Sequence, residues 1–157
     1  MKQAVLSAFF AAAFSVSATA QIVVKDAWVR ATVPHQTATG AFMQITSPVD
    51  ATLVDVQSSA AGIVEIHEMK LVNNVMKMRA VEQVALPAGK PVELKPGGYH
   101  VMLMDLKAPV KAGGSIPLTL VFEGKDKKRF TMEVTASARP LGAAAPKGAP
   151  QHSEHKR

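Results

Sequence analysis

Residues 67–78 read His-Glu-Met-Lys-Leu-Val-Asn-Asn-Val-Met-Lys-Met, two short polar–apolar segments joined by an Asn-Asn pair. Asparagine tolerates the left-handed backbone conformation that two-residue hairpin loops require. Asn73 and Asn74 therefore predict a tight turn, with Val72 facing Val75 directly across it. This hairpin makes the runs of sequence on either side candidates for further β-strands.

The hairpin also predicts which side chains share a face. Its register places Met69 opposite Met78, and Glu68 opposite Arg79 on the other face. His67 lies two residues from Met69, so it shares that residue's face and is diagonal to Met78. Met69 and Met78 are equally good partners for His67 by this reasoning, and the opposite face gains a compatible charge pair.

The rest of the chain is also typical of strands. β-branched or alternating runs recur between Pro and Gly breaks, and turn signals follow roughly every eight to twelve residues, a pattern that favours an antiparallel sandwich or barrel. No segment after the first twenty residues predicts a helix. We therefore expect an all-β domain. Its first three runs cover residues 22–33, 40–47 and 51–59.

The two ends of the chain differ in composition from its body. Residues 1–20 have an early lysine, a short apolar run and a final Ala-Thr-Ala, which predict a secretory signal peptide cleaved after Ala20. No second apolar run follows, so we expect no membrane span in the mature chain. Residues 21–139 are predicted to form the folded domain. Residues 140–157 are rich in Ala, Pro and Gly and predict a flexible tail.

Composition excludes several functions. The 157-residue chain has a formal net charge of +6, but its basic residues are scattered and it has one Trp and one Tyr, which argues against nucleic acid binding. It has no cysteine, so a thiolate nucleophile, a cysteine-ligated zinc site, an iron–sulfur cluster and a His₂Cys blue-copper site are excluded. Any soft metal ligand in this chain must be methionine.

A second segment repeats the pairing of histidine with methionine. If residues 99–106 form a strand, His100, Met102 and Met104 point one way, while Val101 and Leu103 point toward the core. His-x-Met thus occurs at residues 67–69 and again at residues 100–102. Thioether and imidazole groups together suit Cu(I) or Ag(I), whereas hard ions prefer oxygen ligands.

The spacing of these residues resembles that of a known family. His67 is followed after ten residues by Met78, and after twenty-one more by His100-Val101-Met102. In this the chain resembles the periplasmic copper chaperones called PCu(A)C, over most of residues 22–137. The resemblance implies a cupredoxin-like Greek-key β-barrel. It also implies one Cu(I) per chain, bound by His67, Met78, His100 and Met102, and a place in the periplasm.

The resemblance also implies a task and partners. A PCu(A)C chaperone supplies Cu(I) toward the Cu(A) site of cytochrome c oxidase, so the expected partners are the apo oxidase subunit or another periplasmic copper chaperone. No nucleophile stands at a recognisable spacing from a base, so we expect no enzyme. Two alternatives stay open: a copper or silver sequestration protein for metal tolerance, and a metal-free β-sandwich that binds a partner through its methionine-rich face.

Some histidines and methionines lie outside the shared motif. Met69, Met76 and Met104 are expected to pack or to shield the site. His152 and His155 favour a solvated tail, with an accessory Cu(II) site through their imidazoles as the alternative.

Overall fold

A computed structural model describes residues 21–142. These residues form ten β-strands and no helix, which confirms the predicted all-β class. The strands are β1 (Val23–Arg30), β2 (Ala38–Thr46), β3 (Ala51–Gln57), β4 (Ala61–Val72), β5 (Val75–Ala80), β6 (Val84–Leu86), β7 (Pro91–Leu94), β8 (Tyr99–Leu106), β9 (Ser115–Gly124) and β10 (Arg129–Arg139).

The predicted signal peptide, residues 1–20, lies outside the described residues. So do residues 143–157, which hold His152 and His155 and most of the predicted tail. Across the part of the chain that the structure covers, no helix is long and apolar enough to cross a membrane.

The strands form one sheet in the order β5-β4-β8-β2-β1-β10-β9-β3-β6, and β7 pairs with the second half of β2. Several neighbours in this order are distant in sequence, for example β4 and β8, or β3 and β9. Such pairings between distant strands are what Greek-key connections produce. They bring the two His-x-Met segments, one on β4 and one on β8, into direct contact.

One face of the sheet forms the core by strict alternation. On β8, Val101 and Leu103 have no exposed surface, and Tyr99 packs against the same cluster. On β4 the corresponding side chains are Val64 and Ile66. Because successive side chains on a strand point to opposite faces, the residues between these are directed to the outer face. The predicted core face of β8 is confirmed.

A bulge in β1 decides which residues occupy the outer face beside β2. The register between β1 and β2 shifts between Lys25 and Trp28, and Asp26 has a positive φ of 51°. The extra residue sets Trp28, instead of Ala27, opposite Phe42. Two large aromatic side chains thereby lie together on the outer face, next to β8.

The β4–β5 hairpin has the predicted register. Met69 pairs with Met78, Glu68 pairs with Arg79, and Asn73 and Asn74 form the loop with φ values of 51° and 59°. Both loop residues are left-handed, as a type I′ turn requires. Glu68 and Arg79 make the expected ion pair at 2.8 Å.

Candidate metal centre

The predicted ligands meet on the outer face of the sheet, across β8, β4 and β5. His67 on β4 lies directly opposite His100 on β8, and Met69 on β4 lies directly opposite Met78 on β5. Met102 is two residues along β8 from His100 and points the same way. The four side chains of the shared motif therefore occupy three neighbouring strands, and Met78 and Met102 are each two positions in register from the His67–His100 pair.

His100 and Met78 are in contact. The Nε2 atom of His100 lies 3.3 Å from the Sδ atom of Met78. His100 Nδ1 lies 3.0 Å from the Gly98 carbonyl oxygen, which can only accept, so the ring proton is assigned to Nδ1. In the neutral ring Nε2 then carries a lone pair that faces a second lone-pair donor, the thioether.

This distance suits a shared metal ion. Nitrogen and sulfur ligands of a tetrahedral site, with bonds of about 2.0 and 2.3 Å, lie about 3.5 Å apart. Without a proton between them, the two hydrogen-bond acceptors His100 Nε2 and Met78 Sδ gain little free energy from their contact. An ion placed between Nε2 of His100 and Sδ of Met78 would give both atoms a partner.

His67 is held from one side. Its Nε2 atom lies 2.8 Å from a carboxylate oxygen of Glu65, and its ring meets that of His100 edge-on, with centroids 5.9 Å apart. The Nδ1 atom of His67 is buried and has no hydrogen-bond partner. The His67 side chain is 12% exposed. Its Nδ1 atom is therefore sheltered from solvent and not engaged in a hydrogen bond.

A shallow depression of about 260 Å³ lies beside these side chains. The residues that line it include Arg30, Met69, Met78, His100 and Met102. Met78 is 50% exposed, whereas His100 is 5% exposed. The candidate site therefore has one predicted ligand, Met78, at the surface and another, His100, at its base.

An aromatic layer supports His100 from behind. The ring of Phe42 lies 6.3 Å from that of His100, and the ring of Trp28 lies 4.4 Å from that of Phe42. Both residues are 4% exposed although they lie on the outer face, and the Arg30 guanidinium covers the Phe42 ring at 5.6 Å. Gly40 leaves room for that ring, since a Cβ there would approach Phe42 Cζ to 2.8 Å.

The donor set favours a soft ion. Among the described residues, no three His, Asp or Glu side chains come together in a group that could hold a metal. The available cluster is instead two imidazoles with thioethers, which suits Cu(I) and suits Mg²⁺, Ca²⁺ and Zn²⁺ poorly. The ion pair of Glu68 with Arg79 lies on the opposite face of the hairpin, where hydrogen bonding to the guanidinium lowers the pKa of Glu68.

A model of the LpqE-like family matches residues 22–134, which is most of the described domain. The chain belongs to the LpqE-like family. Among curated relatives, this LpqE-like chain is 39% identical over 100 residues to "Putative lipoprotein Lxx21020" of Leifsonia xyli and 34% identical over 83 residues to an uncharacterized protein of Rickettsia prowazekii. These matches cover 63% and 52% of this chain, and they span 60% and 46% of the relatives' own lengths.

Solved structures confirm the predicted resemblance to PCu(A)C proteins and the cupredoxin-like fold. The LpqE-like chain matches apo DR1885 of Deinococcus radiodurans at 27% identity with a TM-score of 0.59, over 90% of this chain and 95% of that one. It matches the Cu(I) form of DR1885 at 30% identity with a TM-score of 0.57, over 81% and 85% of the two chains. The copper-bound PCuAC domain of PmoF2, at 23% identity, 76% and 92% coverage and a TM-score of 0.58, shares the fold.

Of the three methionines outside the motif that were expected to pack or shield the site, only Met69 lines the depression in this LpqE-like domain. Met76 is 48% exposed toward the hairpin tip, and Met104 pairs with Ile63 farther along the sheet. The contacts of Glu65 and Phe42 were not predicted. Glu65 could have been noticed from its place two residues before His67, but nothing in the sequence near Phe42 points to His100.

Proposed function

We propose that this LpqE-like domain is a periplasmic copper metallochaperone that binds one Cu(I) through His67, Met78, His100 and Met102. The contact between His100 Nε2 and Met78 Sδ carries the proposal, because it brings two soft lone-pair donors together with no proton between them. The Cu(I)-bound form of DR1885, which has the same fold at 30% identity, supports the choice of ion.

The mechanism is ligand exchange without proton transfer. Thioethers are never protonated, and the Gly98 carbonyl holds the proton of His100 on the nitrogen that does not face Met78. All four ligands are neutral, so the bound ion keeps its single positive charge and stays attractive to a thiolate or imidazole of a receiving protein. Met78 is the most exposed of the four and is the ligand that an incoming group would displace first.

The receiving partner is proposed to be the apo Cu(A) site of cytochrome c oxidase, or a second periplasmic copper chaperone. A chain that only moves an ion needs no general base and no nucleophile, and we assign it no enzymatic role. Export to the periplasm is supported by the predicted signal peptide and by the name of the Leifsonia relative, a lipoprotein.

Cu(I) binding and transfer are tested in two steps. Competition against a Cu(I) chelator should give one ion per chain for the wild type, and at least about tenfold weaker binding for His100→Ala. Binding that is no tighter in the wild type than in this variant would remove the copper proposal. Loaded protein is then mixed with an apo Cu(A) domain. Tight binding without any transfer would instead favour the sequestration role.

A further inference from the structure

We propose that the two histidines bind Cu(I) through different ring nitrogens, His67 through Nδ1 and His100 through Nε2, and that Glu65 is the positioning residue that imposes this on His67. The inference rests on the proposed copper function and specifies its geometry. It comes from three features: the Glu65–His67 contact, the buried Nδ1 of His67, and the contact of His100 with Gly98.

Glu65 fixes the tautomer of His67. The two residues lie two positions apart on β4 and so share the outer face, where Glu65 Oε2 lies 2.8 Å from His67 Nε2. An ionised carboxylate can only accept a hydrogen bond. In the neutral imidazole the proton must therefore be on Nε2, and Nδ1 must carry the lone pair.

The surroundings of Nδ1 agree with that assignment. Nδ1 of His67 is buried and has no partner among the described residues. A buried donor and a buried acceptor are both costly when they are left without a partner. A metal ion could satisfy a lone pair on Nδ1 but could not satisfy a proton there. Histidine ligands ordinarily donate the other ring N–H to a carboxylate or a carbonyl, and Glu65 is placed to accept it.

His100 has the opposite arrangement. Its Nδ1 donates to the Gly98 carbonyl, and that same oxygen also accepts the backbone N–H of Met69 on β4. Nε2 is left facing Met78. Gly98 directly precedes β8, and its carbonyl is a backbone group that also binds β4. This tautomer is therefore fixed by the backbone fold and not by a side chain.

Binding through different ring nitrogens would place the ion at unequal distances from β4 and β8. Nδ1 is two bonds from Cβ, whereas Nε2 is three bonds away, and the two histidines are directly paired across β4 and β8. An ion held by Nδ1 of His67 and Nε2 of His100 would therefore be expected closer to β4 than to β8. Because β5 lies on the other side of β4 from β8, this displacement would be toward the strand that carries Met78.

The test starts with the protein free of copper. Above a pH of about 7.5, where an ordinary histidine is neutral, long-range ¹H–¹⁵N correlation spectra report which ring nitrogen carries the proton. We expect the proton on Nε2 in His67 and on Nδ1 in His100. The same tautomer in both rings would overturn the proposal.

Two substitutions at Glu65 isolate its role. Glu65→Gln retains an oxygen acceptor and should keep the Nε2–H tautomer of His67. Glu65→Val retains a strand-favouring side chain without an acceptor, and His67 should then populate both tautomers while His100 is unchanged. An unchanged His67 spectrum in the valine variant would show that Glu65 does not position the ring. Backbone amide spectra confirm that both variants are folded.

Addition of Cu(I) completes the test. The ¹⁵N resonance of Nδ1 should move in His67 and that of Nε2 in His100, and Glu65→Val should weaken Cu(I) binding by about 10- to 100-fold. Movement of Nε2 in both rings would refute the inference and leave the copper function standing. If no Cu(I) binds, the proposed function fails, and the tautomers of the copper-free protein still decide whether Glu65 positions His67.

Discussion

His67 and His100 lie directly opposite each other on neighbouring antiparallel strands, with ring centroids 5.9 Å apart and the rings edge to face. They are 33 residues apart in the sequence, and the pairing of β4 with β8 alone brings them together. Directly opposed side chains on one face of a sheet are its closest cross-strand neighbours. The candidate metal centre therefore depends on strand register, and we expect changes to that register or to the residues that support it to alter copper binding.

The two paired methionines should contribute unequally. Met78 Sδ contacts His100 Nε2, whereas Met69 only lines the same depression. Met78→Leu should weaken Cu(I) binding at least about tenfold, and Met69→Leu should have a smaller effect, as measured by chelator competition. Met76→Leu is the matched control, since Met76 is on the same face of β5 but outside the depression. A larger loss in Met69→Leu would reverse the assignment.

Gly40 should be needed for the position of the aromatic layer. A Cβ at Gly40 would approach Phe42 Cζ to 2.8 Å, so Gly40→Ala must displace the ring that packs beside His100. We expect a lower melting temperature, from an overpacking cost of about 1–3 kcal/mol, together with weaker Cu(I) binding.

The smaller side chain of Phe42→Leu provides the control for that clash. The double variant Gly40→Ala/Phe42→Leu should be less destabilised than the sum of its single changes, because leucine does not extend to the added methyl group. Strict additivity of the two changes in unfolding free energy would show that the contact between Gly40 and Phe42 is not the cause.

The hairpin loop should control the metal centre from a distance. Asn73 and Asn74 have positive φ, and a β-branched residue in that conformation costs about 1–2 kcal/mol or more. Asn74→Val should open the hairpin and weaken Cu(I) binding through Met78. Asn74→Gly should preserve or improve the stability of the hairpin and the affinity for Cu(I). Amide hydrogen exchange of β5 and chelator competition measure the two effects. Equal copper binding by the valine and glycine variants would contradict the link.

The ion pair across the hairpin should give a pH-dependent contribution. Hydrogen bonding and attraction from Arg79 lower the pKa of Glu68 in the folded chain. A lowered pKa stabilises the fold above the unfolded value of about 4.3, and this stabilisation is lost as the pH falls through the folded value. Glu68→Gln should therefore be less stable than the wild type near pH 7. Thermal unfolding across pH should show the difference disappearing in acid, and a difference that persists to about pH 2 would exclude this origin.

The hairpin register and the faces of the strands could be predicted from the sequence because they depend on residues that are close together in the chain. The Asn-Asn loop fixes the hairpin register, and alternation along β8 separates Val101 and Leu103 from His100 and Met102. Those rules act over a few residues, so they hold wherever a strand has one buried face.

The remaining features depend on pairings that no short segment determines. The contact of His67 with His100 needs the β4–β8 register, and the Trp28–Phe42 layer needs the bulge at Asp26, where a positive φ has no clear signal in the sequence. Alternation of side chains along β4 is enough to place Glu65 on the same face as His67. Only its side-chain rotamer, which alternation does not determine, shows that it contacts Nε2 of His67.

The position of β5 at the end of the sheet has a thermodynamic consequence. All six of its residues are exposed, and among the described strands it pairs with β4 alone, so its opening is a local event that carries Met78 away from His100. An ion bound across that gap favours the closed hairpin. By reciprocity, a ligand that binds only the open hairpin would be weakened by Cu(I) by the same factor by which it weakens Cu(I) binding. If Cu(I) binds as proposed, the cost of releasing it is divided between a metal–sulfur bond and the fraying of one edge strand.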